Sequence, residues 1–228
     1  MFRSPHLESA AIREAHPRIH PVFRDTPQYV HEGLSASAGV PVIVKIETVN
    51  PIRSFKGRGT WIALSALEGE GRITRDRPVV CASAGNFGQG VAYAARALGI
   101  RAVVFCSTRA NRGKVARMRA LGAEVIEAGE DFDEARSASE AYAAANDAEL
   151  LVDGDDVRIA IPRAVELMSG RVDAMVTVSE DDLHAAQILL TAELGITVEG
   201  AAPASWAGLL GGPRPDGPFL VVITGSNV

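Results

Sequence analysis

The sequence has little lysine, little cysteine and no excess of positive charge, and each shortage narrows the classes of protein to consider. Only three of its 23 basic residues are lysines, Lys45, Lys56 and Lys114. A net charge of −5 argues against a general nucleic-acid binder, which is normally basic. The two cysteines, Cys81 and Cys106, lie in apolar runs, which predicts no disulfide framework and favours a reducing cytoplasm.

Long apolar runs are also missing. No window approaches the roughly 18 apolar residues of a membrane span, and the N-terminus carries charge where a signal peptide needs an apolar stretch. We therefore expect a soluble, cytoplasmic protein with no membrane partner. The 228 residues suggest one large domain or two small ones.

From residue 41 onward, short runs rich in valine and isoleucine alternate with segments of helical period. This pattern is typical of an open α/β fold, in which mostly parallel, twisted sheets are joined by crossover helices. The predicted strands are 41–46, 78–82, 101–106, 123–126, 149–152, 174–178 and 219–224, and the predicted helices lie near 54–68, 86–98, 111–121, 131–146, 161–169, 180–194 and 203–210.

Because arginine stays protonated, the only side-chain candidates for an amine nucleophile are the three lysines. Lys56 lies in Ser54-Phe-Lys-Gly-Arg-Gly59, where Ser54 is suited to cap a helix and Lys56 falls in its first turn. The helix dipole there should lower the pKa of the amine and favour imine formation with an aldehyde. Gly57 and Gly59 would let the backbone run close to a bound ring. The alternative is a solvated surface lysine.

The other two lysines are weaker candidates. Lys45 alternates with apolar residues along a strand and could face solvent or pair with Glu47. Lys114 lies among four arginines, at 109, 112, 117 and 119, which are typical of the wet side of a helix, although such a cluster could also bind an anion.

A second segment, Ser83-Ala-Gly-Asn-Phe-Gly-Gln-Gly90, joins a predicted strand to a predicted helix. Glycines at such a turn free backbone N–H groups to point at an anion, and the helix dipole favours negative charge there. The spacing is not the dinucleotide pattern, and a tight turn without a ligand is the alternative. A third segment, Thr224-Gly-Ser-Asn227, follows the last strand, at the edge where open α/β sheets bind ligands.

These three segments, in this order, resemble the fold-type II pyridoxal-phosphate enzymes, the tryptophan synthase β-like group, and within it the threonine dehydratase and serine racemase branch. The likeness extends through Val44-Lys-Ile-Glu-Thr48, Gly90-Val-Ala-Tyr-Ala-Ala95 and Leu121-Gly-Ala-Glu-Val125 and resumes from about residue 176 to the end.

The resemblance implies pyridoxal 5'-phosphate as cofactor and a role for each matching residue. Lys56 would bind the cofactor through an imine and later act as the base at the substrate α-carbon. Phe55 would pack on the pyridine ring, Asn86 would hydrogen-bond its 3-hydroxyl group, and Thr224 would meet its nitrogen. The substrate carboxylate would lie at four residues of the turn, Ser83, Ala84, Gly85 and Gln89. No metal is implied.

The sequence departs from the family's pattern in three places. Phe87 stands where histidine is common, and Thr224 where serine is common. The family's glycine-rich phosphate loop should follow residues 151–158 and is missing, since the sequence passes directly to a segment that resembles one well downstream. We therefore predict an incomplete large domain made of 1–40 and 151–228, and a small domain over 41–150, with Lys56 at their interface.

The resulting hypothesis is an ammonia-lyase that dehydrates a β-hydroxy amino acid to a 2-oxo acid and ammonia. A neutral hydroxyl at the pyridine nitrogen, as Thr224 would supply, suits loss of water. Threonine, serine, 3-hydroxyaspartate and racemisation all remain open, and a homodimer is the family's habit. The alternative is an impaired or inactive relative that acts as a binding or partner subunit.

Overall fold

The computed structural model describes residues 13–153, 176–212 and 216–227. The strands in these ranges are β1 Gln28–Val30, β2 Val42–Ile46, β3 Val79–Ala82, β4 Ala102–Cys106, β5 Glu124–Glu127, β6 Glu149–Leu150 and β7 Phe219–Ile223. The helices are α1 Glu32–Ala38, α2 Lys56–Gly69, α3 Asn86–Leu98, α4 Arg112–Ala120, α5 Phe132–Ala145, α6 Glu180–Leu194 and α7 Ala204–Gly211.

The chain divides into two units. One consists of Met1–Arg24 and Lys56–Arg171 and is called the Lys56 unit here; the other, the Thr224 unit, consists of Asp25–Phe55 and Val172–Val228. One boundary falls between the neighbouring residues Phe55 and Lys56. The division into a large domain over 1–40 and 151–228 and a small domain over 41–150 stays a prediction. β2, which the sequence places in the small domain, pairs with β7.

In the Lys56 unit, four parallel strands form a sheet in the order β5-β4-β3-β6. All five residues of β4 are buried, as expected for a central strand covered on both faces. Because the strands are parallel, their carboxyl ends lie at one edge, where ligands bind in open α/β sheets.

Two glycines of α3 allow close packing in this unit. A Cβ atom on Gly90 would lie 2.6 Å from Thr60 Oγ1 of α2, and one on Gly88 would lie 2.6 Å from Met118 Sδ of α4 and 3.2 Å from Val104 Cγ1 of β4. The Thr60 hydroxyl in turn donates to the carbonyl oxygen of Lys56 at 2.9 Å. The glycine-rich sequence of α3 therefore brings the first turn of α2 against the helix that follows β3.

In the Thr224 unit, β1 pairs antiparallel with β2, and β2 pairs parallel with β7. The core lies between this sheet and the helices, and its largest fully buried side chain is Trp206 of α7. Ser179 caps α6, since its side chain accepts a hydrogen bond from the N–H of Asp182.

Most predicted elements are confirmed within one or two residues. The predicted strand at 174–178 is wrong where it can be compared, because 176–178 belong to no strand and 174–175 lie outside the described residues. The predicted helix at 161–169 also lies outside them. β1, whose three residues are all exposed, and α1 were not predicted from the sequence.

None of the helices in the described ranges has the length and apolar character needed to cross a membrane.

Candidate functional site

Lys56 is the first residue of α2, as predicted, and is not a surface lysine, because its side chain is only 13% exposed. Its Nζ atom lies 5.8 Å from the centroid of the Phe87 ring, within the range of a cation–π contact. Ser54 does not supply the predicted helix cap. Its hydroxyl is buried, without a hydrogen-bond partner among the residues described.

The amine of Lys56 also forms an ion pair that the sequence does not predict. Lys56 Nζ donates to both carboxylate oxygens of Asp153, each at 2.9 Å. Asp153 follows β6, which runs parallel to β3, so this carboxylate lies near the carboxyl edge of the sheet. Its position after a predicted strand was the available signal, but nothing in the local sequence links it to a lysine 97 residues earlier.

The turn between β3 and α3 is held together by its own serine. Ser83 Oγ accepts hydrogen bonds from the N–H of Gly85 at 3.2 Å and from the N–H of Gly88 at 3.0 Å. These two N–H groups are therefore not free for an anion, contrary to the expectation. Ala84, Gly85 and Asn86 are each partly exposed, and α3 begins without a side-chain cap.

Gln89 lies one turn into α3 and is completely buried. Its Oε1 atom accepts a hydrogen bond from Arg117 Nε at 2.8 Å, which fixes the orientation of the amide. The Nε2 group is buried and has no hydrogen-bond partner within the described part of the chain. Because a buried donor normally has a partner, this amide is a candidate for binding a ligand. Arg117, predicted on a solvated face, instead supports it.

Gly57 makes room for a protein side chain in place of the bound ring that the sequence suggested. A Cβ atom there would lie 2.3 to 2.6 Å from three atoms of the Phe23 ring. Phe23 is 1% exposed. The short distances show that the first turn of α2 packs directly against its ring.

In the Thr224 unit, the segment after β7 lies beside the residues that precede Lys56. The N–H of Phe55 donates to the carbonyl oxygen of Thr224 at 3.0 Å, and Ser54 forms a β-bridge with Gly225. Asn227 Nδ2 donates to the carbonyl oxygen of Ile52 at 2.8 Å. The Phe55 side chain is 41% exposed, which leaves much of its surface open to a ligand.

The environments of the other two lysines differ from that of Lys56. Lys45 neither faces solvent freely nor pairs with Glu47, because its Nζ donates to the carbonyl oxygen of Thr26 at 2.7 Å. Lys114 lies on a helix whose arginines mostly pair with acids, as Arg119 does with Glu127 at 3.1 Å. This agrees with a solvated face.

Neither cysteine is suited to act as a nucleophile. Cys81 and Cys106 are free and buried. Burial raises the pKa of the Cys81 thiol, and the Asp153 carboxylate raises it further. Burial, followed by the charge of Glu127, raises the pKa of Cys106. Both thiols therefore stay protonated at neutral pH. The described residues also hold no group of three His, Cys, Asp or Glu side chains suited to a metal ion.

The Lys56 unit fits the aldehyde end of the predicted cofactor. It offers a shielded primary amine, the reactant that forms an imine, and an orphaned buried donor on Gln89 in the helix that follows β3. The position expected for the missing phosphate loop runs into residues 154–175, which lie outside the described residues.

Solved structures share the fold of this chain. The chain superposes on the processed form of threonine deaminase isoform 2 from Solanum lycopersicum with a TM-score of 0.81 and 20% identity, over 97% of this chain and 86% of that one. It superposes on serine racemase from Dictyostelium discoideum with a TM-score of 0.83 and 17% identity, over 95% of this chain and 97% of that one. At these identities the likeness shows the fold alone, which is the predicted tryptophan synthase β-like fold.

The sequence establishes the family. Residues 19–160, more than half of the chain, match the model of the pyridoxal-phosphate dependent enzymes, and the chain belongs to that family. It is also similar to the biosynthetic L-threonine dehydratase of Mycobacterium leprae, with 36% identity over 172 residues, 73% of this chain. These matches confirm the predicted family, branch and cofactor class.

The chain spans 40% of the length of the Mycobacterium leprae relative and 37% of a second curated dehydratase, from Lactococcus lactis.

Proposed function

We propose that this chain is a pyridoxal-phosphate dependent ammonia-lyase of the threonine and serine dehydratase type. It would convert a β-hydroxy amino acid to a 2-oxo acid and ammonia. The observation that carries the proposal is Lys56, a shielded amine at the start of α2 and 5.8 Å from the Phe87 ring. The names of the curated relatives support the reaction class.

In this proposal Lys56 has two tasks. It would hold the cofactor covalently, and its amine would take the proton from the substrate α-carbon. The bound cofactor supplies an electron sink that makes this proton acidic. The low exposure of Lys56 limits the access of water to this amine.

The substrate carboxylate would bind at the turn before α3. Ser83 keeps the turn closed through the N–H groups of Gly85 and Gly88, and Ala84 and Gly85 would line the space that the carboxylate occupies. Side chains on a helix lean toward its N-terminus, so the amide of Gln89 extends toward this turn. Its unpartnered Nε2 group would donate to the carboxylate.

Replacing Gln89 by glutamate should raise the KM for the amino acid at least about tenfold, because a hydrogen bond to a charged group is worth about 1.5–3 kcal/mol. The new carboxylate can still accept the hydrogen bond from Arg117 Nε, so Arg117 continues to orient the side chain. The Nε2 donor, however, is replaced by a negatively charged oxygen. Gln89→Leu, which removes the donor without adding charge, is the control and should raise KM less. Unchanged KM in Gln89→Glu would remove Gln89 from the carboxylate site.

Three further assignments are part of the proposal and depend on the sequence resemblance. Phe55 would cover the cofactor ring, Asn86 would bind its 3-hydroxyl group, and Thr224 would contact its nitrogen.

A homodimer and a cytoplasmic location are also proposed from the sequence resemblance. The free thiols of Cys81 and Cys106 agree with a reducing compartment.

Turnover of candidate substrates tests the reaction. The purified chain with added cofactor should release a 2-oxo acid and an equal amount of ammonia from L-threonine or L-serine. Chiral chromatography of the remaining serine measures racemisation in the same sample. Retention of cofactor without release of any 2-oxo acid would contradict the lyase and favour the alternative, a binding or partner subunit.

A further inference from the structure

The ion pair of Lys56 with Asp153 has no role in the proposed reaction, yet it occupies the amine on which that reaction depends. Both distances from Lys56 Nζ to the carboxylate oxygens are 2.9 Å. The Lys56 side chain is 13% exposed and the Asp153 side chain 28%. The pair is therefore largely shielded, and each partner satisfies a charge that would otherwise be costly to bury.

The fold of the Lys56 unit itself brings Asp153 to this place. β6 pairs with β3 from Val79 to Val80, and the N–H of Leu151 donates to the carbonyl oxygen of Val80 at 2.8 Å. The chain then leaves the sheet beside Cys81, whose pKa is raised by burial and further by the Asp153 carboxylate. The carboxylate thus lies against the carboxyl end of β3, next to the turn that leads into α3.

We propose that Asp153 is a positioning residue that holds the Lys56 amine as a paired ammonium and thereby restrains its capture of an aldehyde. An ammonium has no lone pair, so the pair must open and the nitrogen must lose a proton to solvent before it can react. The lone pair then forms the C–N bond, the carbonyl π electrons move to oxygen, and loss of water completes the imine. The proposal depends on the proposed function only in taking Lys56 as the reactive amine.

Reductive methylation with formaldehyde and dimethylamine–borane tests this without the cofactor. Formaldehyde forms the imine, the borane supplies hydride to its carbon, and peptide mass spectrometry measures the methylation of each lysine. Asp153→Asn should speed methylation of Lys56 about threefold at pH 7, as expected for the loss of a partly shielded ion pair.

The chain offers matched controls. The methylation of Lys45 and Lys114 is measured in the same sample and should not change. Asp153→Glu keeps the charge and should restore the slow labelling of Lys56. Asp147→Asn removes a carboxylate that pairs with Arg77 at 3.5 Å in the same unit and should leave Lys56 unaffected.

Equal labelling of Lys56 in the wild type and in Asp153→Asn would overturn the proposal. So would a parallel increase at all three lysines, which marks general loosening of the fold. Because no cofactor is used, slow cofactor binding or absent turnover would bear on the proposed function alone.

Discussion

Replacement of Lys56 by alanine should lower 2-oxo acid formation from L-threonine at least about 10³-fold. The substitution removes both the covalent attachment of the cofactor and the base at the α-carbon, and general acid–base catalysis alone contributes about 10²–10⁴-fold. Initial rates of 2-oxo acid release at saturating cofactor measure the effect. The loss should persist at high substrate concentration, because the change is in kcat.

Two kinds of control separate chemistry from charge. Lys56→Arg keeps a cation for Asp153 but cannot form an imine, so it should be as inactive as Lys56→Ala. Lys114→Ala removes a lysine on a solvated helix and should retain activity within about twofold, as expected for a surface substitution. If Lys56→Arg kept a tenth of the wild-type rate, covalent catalysis by this amine would be excluded.

Replacement of Gly57 by alanine should destabilise the Lys56 unit by about 1–2 kcal/mol, which is the cost of overpacking less the gain from replacing glycine in a helix. The new Cβ would lie 2.3 Å from the nearest atom of the Phe23 ring. The ring cannot move aside easily, because the rings of His20 and Tyr93 lie 6.2 and 5.2 Å from it. Overpacking costs about 1–3 kcal/mol or more, which outweighs the gain of at most about 1 kcal/mol from replacing glycine in a helix.

Urea denaturation followed by Trp61 fluorescence measures this loss within the Lys56 unit. A Trp206→Phe background removes the tryptophan of the Thr224 unit, so that Trp61 is the single reporter. Gly69→Ala is the matched control, because a Cβ at this position of the same helix would meet no packing neighbour within 4 Å, and it should be neutral or slightly stabilising. The double variant with Phe23→Leu should recover part of the stability. Equal midpoints for the Gly57 and Gly69 variants would show that Phe23 does not confine the first turn of α2.

The regular parts of the fold were predictable from local pattern. Buried runs such as 102–106 and 79–82 are apolar on their own, and the periodicity of α3 and α6 located both helices at their observed bounds. β1 was missed because its three residues are exposed and carry no apolar alternation. The pairing of β2 with β7, near the other end of the chain, could not be predicted, because no local signal fixes a parallel pairing of that range.

The site was predictable in its residue types and less so in its contacts. Lys56 was identified by its scarcity and its place at a helix start. Its partner Asp153 follows a strand of only two residues, and that pairing depends on the tertiary structure. The sequence suggests that the glycines at 57, 88 and 90 make room for a ligand or a turn, yet each faces a protein side chain. A sequence pattern cannot tell whether the space beside a glycine holds a ligand or a side chain. Gln89 was assigned from resemblance, whereas its bond to Arg117 required the structure.

Covalent trapping of the cofactor tests the central claim most directly. Incubation with pyridoxal 5'-phosphate should produce a yellow protein, and borohydride should then fix one phosphopyridoxyl group per chain. Peptide mass spectrometry should find that group on Lys56, with Lys45 and Lys114 unmodified. A stable label on either of those two lysines with Lys56 unmodified would contradict the account.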